Sequence, residues 1–384
     1  MANGCGSTIL TLVPAPRIAS EPYPRDGGRV PALIRTATVL QSICDAGRPM
    51  PLAELAQSTG FPKSSVMGIC HALTEEHVLV RGVDGTYALG PRVFEFGSAA
   101  RAHSRPLHNI GFSYPVDESF FLAEIRTVRA EATRLGANLD LRCAKEDKER
   151  QSQQIREFVS ADVDLILVEP VVSEGLEAAC AEAHTARIPV VAIGSAVSGA
   201  DAVVATDNTK AGSLAGTALA KALSGQGRIA VVGGISITAN ADRVAGFLGA
   251  IAAYPQLTVA VTSRGELDAP SGQRAAEEIL ATHPTVEGFF AANDQIAIGI
   301  SSVLAGRNLF VPIVAVDGAQ GAVDQIRAGG PIVATATQDP MALVRAAIEI
   351  GSALHGGIGV VRQSHYIQPR LLDAQNVQEY QPWG

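Results

Sequence analysis

At 384 residues the chain is longer than one hydrophobic core usually supports, so two or three domains are expected. With 47% hydrophobic and 18% charged residues the composition is that of a packed protein, not a disordered one, and no run approaches the roughly 18 uninterrupted apolar residues that span a membrane. The net charge of −8 is uneven: residues 1–110 hold 10 Lys+Arg and 8 Asp+Glu, or +2, which leaves −10 for the rest and keeps nucleic acid open as a partner of the N-terminal part.

The first 30 residues contain glycine, serine and four prolines, with no positive charge before a short apolar run at 9–13. We read residues 1–28 as a disordered tail, not an export signal, and expect a cytoplasmic protein. The five cysteines, Cys5, Cys44, Cys70, Cys143 and Cys180, are odd in number and show no C-x-x-C spacing, which fits buried free thiols in a reducing compartment. Cys44 and Cys70 fall on the inward faces of expected helices.

Residues 32–46 (ALIRTATVLQSICDA) pattern as a helix with Leu33, Ala37, Val39, Leu40 and Ile43 inward, stopped by Gly47-Arg48-Pro49. Residues 52–73 then form two short amphipathic helices. Leu52, Leu55 and Ala56 stand at helical spacing, Gly60 can end the first helix in the left-handed conformation, and Pro62 suits the start of the second. Val66, Ile69, Cys70 and Leu73 make the inward stripe of the second helix, while Lys63, Ser64 and Ser65 crowd its first turn. A helix that begins with a cation and hydroxyls can meet a phosphate backbone and base edges in a major groove. An ordinary helical hairpin fits this stretch equally well. The flank favours the first reading: residues 77–81 and 86–89 are two short strands joined by Gly82-Val83-Asp84-Gly85, so three helices are followed by a two-stranded wing.

After a polar linker starting near Ser98, short apolar runs recur at 110–113, 139–143, 165–168, 190–193, 203–205, 229–232, 259–261, 289–292, 313–316 and 333–336. Helical stretches such as 120–135, 209–223 and 341–354 lie between most of them. Wholly apolar strands separated by helices mean parallel sheets covered on both faces, and their number calls for two doubly wound lobes. In such sheets ligands bind beyond the carboxyl ends of strands. The residues there include Ser113 and Tyr114, then Phe120 and Phe121, Asp207 and Asn208, Arg243, Asn293 and Asp294, Asp317 and Gln338. Aromatics, an arginine, carboxylates and amides suit a polyhydroxylated ligand: the polar groups pair with neighbouring hydroxyls and an aromatic face covers the C–H side of a ring. Asp207 or Asp294 alone reads more readily as a helix cap than as a ligand contact.

Two resemblances fit these readings. RTATVLQSICDAGRPMPLAELAQSTGFPKSSV and VRGVDGTYALGPRVFEFG, ending in Tyr87-Ala88-Leu89-Gly90-Pro91-Arg92, resemble the winged helix-turn-helix DNA-binding domain of IclR-type transcription regulators over residues 29–100. The chain differs from that family at Met67 and Gly68, where a longer polar or basic side chain is common. The resemblance implies double-stranded DNA contacts by Lys63, Ser64, Ser65, Met67 and His71, with Arg81 to Thr86 of the wing on the backbone. Farther on, FFLAEIRTVRAEATRLGANL, DLILVEPVVSEGLEAACAEAHTARIPVVAI, TDNTKAGSLAG, ADRVAGFLGAI, FFAANDQIAIG, IVAVDG and ATQDP resemble the periplasmic sugar-binding-protein fold of ribose-type receptors and lactose-repressor-type sensor domains. That resemblance implies a two-lobed α/β fold in which Phe120, Phe121, Arg243, Asn293, Asp317 and Gln338 contact a sugar. It departs from the family at Gly194-Ser195, where an Asp-Arg pair is common, and in loop 263–271, which lacks an aromatic.

Neither a G-x-G-x-x-G turn after the first strand of the body nor a phosphate-binding G-x-x-x-x-G-K-[ST] loop is present. There is no G-x-S-x-G elbow, and the eight histidines form no H-x-x-x-H pair. No enzyme, cofactor or metal is expected. The organisation expected is a tail at 1–28, the winged helix-turn-helix at 29–100, a linker at 101–108 and an effector domain at 109–384. Its lobe 1 takes 109–208 and 339–365, its lobe 2 takes 209–338 and 366–384, and the chain crosses between lobes near Asn208 and Asp339. The function expected is a one-component, sugar- or polyol-responsive transcription regulator acting as a homodimer or larger oligomer. The alternative is the solute-binding receptor of an ABC-type sugar uptake system with an atypical N-terminal domain.

Overall fold

The computed structural model describes residues 31–102, 105–357 and 363–383. The chain divides into two compact units at 103/104.

The first unit begins with α1 (Pro31–Ala46), then β1 (Met50–Pro51), α2 (Leu52–Thr59) and α3 (Lys63–Glu75). The wing strands β2 (Leu79–Arg81) and β3 (Thr86–Leu89) follow, and α4 (Pro91–Ala102) closes the unit. The three strands form an antiparallel sheet ordered β1-β3-β2, with Met50 opposite Tyr87 and Leu79 opposite Leu89. Gly60 ends α2 at φ 69°, the left-handed region that glycine enters without a Cβ penalty. Val39, Ile43, Met50, Leu55, Val66, Cys70, Leu79 and Tyr87 form the core.

Three expectations are corrected here. Leu33 is 66% exposed, and Ala37 and Cys44 are exposed, because α1 packs on its neighbours through Val39 and Ile43 in its second half. The first wing strand starts at Leu79 instead of His77: His77 takes φ 57° as the chain leaves α3, and Val78 N–H bonds Leu73 O. The segment expected to be linker from Ser98 is helical through Ala102, as its alanine content permits.

The second unit holds two doubly wound lobes. In lobe 1, β4 (Asn109–Tyr114), β5 (Asn138–Cys143), β6 (Leu165–Val168), β7 (Val190–Ile193) and β8 (Ala202–Thr206) alternate with α5 (Ser119–Leu135), α6 (Lys148–Ser160) and α7 (Glu177–Thr185). Lobe 2 holds α8 (Asn208–Ala222), β9 (Gln226–Gly233), α9 (Thr238–Ile251), β10 (Gln256–Arg264), α10 (Ala269–Thr282) and β11 (Gly288–Ala291). It continues through α11 (Asp294–Gly306), β12 (Ile313–Asp317), α12 (Gln320–Arg327) and β13 (Ile332–Thr337). The chain returns to lobe 1 for α13 (Pro340–His355) and β14 (Gln363–Ile367), and ends in lobe 2 with β15 (Leu371–Asp373) and the short 3-10 turn Val377–Glu379.

The sheet orders are β5-β4-β6-β7-β8-β14 and β10-β9-β11-β12-β13-β15, the same winding twice. All pairings in these two sheets are parallel except β13 with β15. Strands β6, β7, β11 and β12 are buried along their whole length, as their unbroken apolar runs require. Each sheet carries a core on both faces.

The C-terminal boundary is corrected. β14 through Ile367 pairs with β8 and so belongs to lobe 1, and a third crossing, 368–370, joins the lobes beside those at Asn208 and Asp339. Within lobe 2, α8 and α9 touch backbone to backbone: a Cβ at Gly212 would lie 1.9 Å from Arg243 O, and one at Gly246 1.9 Å from Thr209 O. Two glycines thus fix the depth at which α9 presents Arg243.

Candidate functional site

The carboxyl ends of both sheets face one cavity between the lobes, lined among others by Phe120, Phe121, Arg243, Asn293, Asp317 and Gln338. The structure therefore brings together the six residues that the resemblance implies for a sugar. Of the other residues named at strand ends, Ser113, Tyr114, Asp207, Asn208 and Asp294 are absent from the lining; the Asp207 carboxylate caps α8 instead, accepting from Lys210 N–H at 3.0 Å. Strand-end position did not separate caps from ligand contacts, and here the cap prevails. Asn293 serves in both places, since its Oδ1 caps α11 through Ile296 N–H at 2.9 Å while Nδ2 reaches Leu267 O at 3.1 Å.

Arg243 anchors the lobe 2 side. Its Nε donates to Asn208 Oδ1 at 2.8 Å, and Nη1 donates to Ala292 O at 2.7 Å and to Asp317 Oδ1 at 3.2 Å. Among the described residues Nη2 has no hydrogen-bond partner. The same Asp317 oxygen accepts from Gln338 Nε2 at 2.7 Å. Burial pushes the Asp317 carboxyl up to about 6, against the downward pull of Arg243 and Gln338. Its backbone sits at φ 144°, a region costly for a residue with a Cβ and commonest at functional sites. Behind it Asp294, fully buried, accepts from Ala319 N–H and Thr335 Oγ1, both at 2.7 Å, and fixes the turn after β12. Burial, with Asp317 close by, holds Asp294 well above the usual carboxylate range.

On the lobe 1 side Glu118 caps α5 through Phe120 N–H at 3.1 Å and sets two rings into the cavity wall. Phe120 meets Phe121 edge-on at 5.6 Å and Trp383 edge-on at 5.2 Å. Trp383 donates from Nε1 to Asp317 O at 3.2 Å and Gln338 O at 3.0 Å, so the end of the chain ties an aromatic of lobe 1 to the polar group of lobe 2. Further bonds cross between lobes: Thr238 N–H to Ser173 Oγ at 3.0 Å, Ala196 N–H to Thr238 Oγ1 at 3.0 Å and Gln295 Nε2 to Ser119 Oγ at 3.3 Å.

Sequence reasoning missed Glu169, Asn240 and Trp383. Glu169 directly follows the apolar run of β6, so the strand-end rule that found the others reaches it. Asn240 lies one helical turn before Arg243, and its Nδ2 binds Ile235 O at 2.9 Å to shape the turn leading into α9. Trp383 carries no local signal, because its position depends on a return of the chain across both lobes. Ser113, named at the first strand end, lies in a buried network instead: its Oγ donates to Gln154 Oε1 at 2.7 Å and accepts from Gln151 Nε2 at 3.2 Å.

In the first unit, Lys63, Ser64, Met67 and His71 are exposed on one face of α3, with Met67 53% exposed. Ser65 is half-buried and accepts from Arg35 Nη1 at 3.5 Å, which places a second cation beside the first turn of α3. His71 pairs with Glu75 at 3.5 Å. Arg81 is exposed, its guanidinium 5.9 Å from the centre of the Tyr87 ring. The Thr86 hydroxyl donates to Asp84 Oδ1 at 2.7 Å, so it shapes the wing turn.

Residues 110–357 match the periplasmic binding protein domain, and residues 32–82 match the IclR helix-turn-helix domain. The chain belongs to the periplasmic binding protein family. It joins that family's domain to an IclR helix-turn-helix domain. Among its relatives, the ribose import binding protein of Bacillus subtilis (strain 168) is 26% identical over 245 residues, 63% of this chain and 79% of the relative. An ABC transporter solute binding protein from Mycobacterium smegmatis, solved with glycerol, is 30% identical with a TM-score of 0.69 and covers 72% of this chain and 98% of its own. A solute binding protein from Bacillus halodurans C-125 with myo-inositol shares the fold at 23% identity and a TM-score of 0.67, over 71% of this chain and 97% of its own.

Proposed function

We propose that this chain is a one-component transcription regulator that binds double-stranded operator DNA through α3 and the wing, and a sugar or polyol in the inter-lobe cleft. The observation that carries this reading is the union, in one chain, of an IclR helix-turn-helix with an exposed α3 face and a binding-protein cleft built on Arg243, Asp317 and Gln338. Relatives named for ribose, or solved with glycerol or myo-inositol, support a polyhydroxylated ligand. Arg243, Asn293, Asp317 and Gln338 offer donors and acceptors to neighbouring hydroxyls, and Phe120 and Phe121 offer an apolar wall.

The mechanism follows from the two lobes. A ligand held by Phe120 on one lobe and Arg243 on the other stabilises the closed form, and its preference for that form sets the size of the response. We propose that the regulator works in the cytoplasm as a homodimer or larger, and that closure alters the spacing of its two α3 helices. Half-sites about 34 Å apart, or a multiple of that, make paired DNA binding sensitive to such a change.

A second reading, a receptor of an ABC-type sugar uptake system, is favoured by the named relatives, which are import or transporter binding proteins. The test is a thermal-shift screen of sugars and polyols on the full chain, followed by selection of bound fragments from random duplex DNA with and without the hit. Sequence-selective DNA binding that changes with the hit supports the regulator. A ligand that binds without any selective DNA binding returns the chain to the receptor reading.

A further inference from the structure

Among the described residues, four ionisable side chains line the cleft, namely Glu118, Glu169, Asp317 and Arg243, so three acids face one cation. That cation is engaged elsewhere: Arg243 bonds Asn208, Ala292 O and Asp317, and makes no hydrogen bond to Glu169. Glu118 is occupied as the cap of α5. Glu169 stands apart. It is 4% exposed, it lines the cavity, and its Oε2 is buried without any hydrogen-bond partner among the described residues. Beside it, Ser195 is 1% exposed with an equally unpartnered Oγ, also in the lining. Glu124, one turn along α5 from Phe120 and Phe121, is fully buried, with both carboxylate oxygens unpartnered.

Room has been left for this carboxylate. Gly194 lies at φ 69°, and a Cβ there would come within 2.3 Å of Glu169 Oε1, so any side chain at 194 would displace the acid from the wall. Buried carboxylates without donors are expensive, and proteins normally pair them with a cation or a hydrogen-bond donor. Burial and the neighbouring Glu124 hold Glu169 well above the usual carboxylate range, with Arg243 opposing. A positive group arriving beside Glu169 would supply the partner that the protein itself does not.

We infer that the effector carries a protonated amine as well as hydroxyls: an amino sugar or amino alditol whose ammonium seats against Glu169 and Ser195, and whose hydroxyls meet Arg243, Asn293, Asp317 and Gln338. This inference rests on the sugar- and polyol-binding reading above and names the ligand class for the same cleft. Three mobile donors on an ammonium match the free Glu169 Oε2 and the Ser195 Oγ, whereas a neutral hydroxyl brings one donor and no charge.

The test uses matched pairs on the full chain at pH 7 by calorimetry: glucosamine against glucose, galactosamine against galactose, and 1-amino-1-deoxy alditols against their parent alditols. At least one amine is expected to bind tenfold or more tighter than its hydroxyl counterpart. Glu169→Gln, checked for a cooperative melt, is expected to reduce that preference to within about twofold while leaving weak binding of the neutral parent. The wild-type pairs decide the matter even if the variant misfolds. Neutral members binding as well as or better than every amine would overturn the inference and leave sugar sensing intact. An amine preference that survives Glu169→Gln removes Glu169 from the role. Failure of every pair, amine and neutral alike, in a protein that melts cooperatively defeats the polyol reading and this inference with it.

Discussion

Replacing Arg243 by alanine removes the guanidinium on which the lobe 2 side of the cleft is built. The side chain makes three hydrogen bonds within the protein, to Asn208, Ala292 and Asp317. Two effects follow. A ligand hydroxyl loses the remaining Nη2 donor, a charge-assisted bond worth about 1.5–3 kcal/mol. Asp317 loses the cation that opposes its burial, so its carboxyl rises further from about 6 and accepts less well from the ligand at neutral pH. Together these amount to roughly 2–4 kcal/mol of binding free energy, a fall in affinity of about 30- to 700-fold. Breaking a buried pair also destabilises the fold by up to about 3–5 kcal/mol, so Arg243→Lys serves as a control that keeps the charge and loses the fork. The assay is calorimetric titration of the ligand identified by thermal shift, beside a DNA-binding measurement without ligand. We expect weakened ligand binding with unaltered DNA affinity. Ligand affinity within about threefold of wild type, in a variant that melts cooperatively, would refute the assignment of Arg243 to the site.

Lys63→Ala combined with Ser64→Ala should weaken operator binding and lower the salt dependence by about one ion, read from anisotropy across salt concentrations; an unchanged slope counts against α3 as the contacting helix. Trp383→Ala removes the ring that packs on Phe120 and donates to Asp317 and Gln338, and should cost about 3–5 kcal/mol in urea melts and weaken ligand binding as well; loss of neither would disprove its bridging role. Asp317 offers a pH test. Its folded carboxyl lies near 6 against an ordinary 3.8, so the folded state holds this proton more tightly than the unfolded chain. Its contribution to stability therefore falls as pH rises from about 4 to 6, by on the order of 3 kcal/mol, and Asp317→Asn should flatten that slope in urea midpoints taken across the window. Ligand affinity should fall in the opposite sense, below about pH 6, as the acceptor is protonated.

Most of the fold was legible because the strongest determinants are local. Wholly apolar runs such as 165–168 and 313–316 admit only buried parallel strands, and the glycine, proline and serine signals around Gly60 and Pro62 placed the turn of the helix-turn-helix. Leu33 misled because periodicity marks an apolar face without saying whether anything covers it. The lobe boundary expected at 365 cut β14 two residues short of its end at Ile367, because its pairing with β8 is a contact across more than 150 residues, which no local pattern encodes. Within the site, Arg243, Asp317 and Gln338 were visible from strand ends, but the same rule also picked the helix cap Asp207, and Glu169, which the rule reaches directly after β6, was left unnamed. Trp383 was beyond reach, since its role exists only once both lobes have folded.

The cleft also constrains how the lobes are held together. Among the described residues, the side-chain hydrogen bonds that cross between them at Thr238, Ala196 and Gln295 contribute about 0.5–1.5 kcal/mol each, on the order of 3 kcal/mol together. Carrying a two-state equilibrium from 1:99 to 99:1 takes about 5.5 kcal/mol of differential binding. The packing of Trp383 on Phe120 adds to those bonds, so protein contacts already hold the lobes together and a ligand shifts the balance by the further contacts it makes. Such contacts count only if they are made with both lobes at once, because a ligand held by one lobe binds open and closed forms alike. Phe120, Phe121 and Glu169 belong to lobe 1, and Arg243, Asn293 and Asp317 to lobe 2. A substitution on either side should therefore lower response and affinity together, whereas one at a crossing, such as Asp339→Gly, should change response with little effect on intrinsic affinity. Equal losses from substitutions at Asp339 and at Arg243, measured as ligand affinity and as ligand-dependent change in DNA binding, would show that closure is not what couples the two.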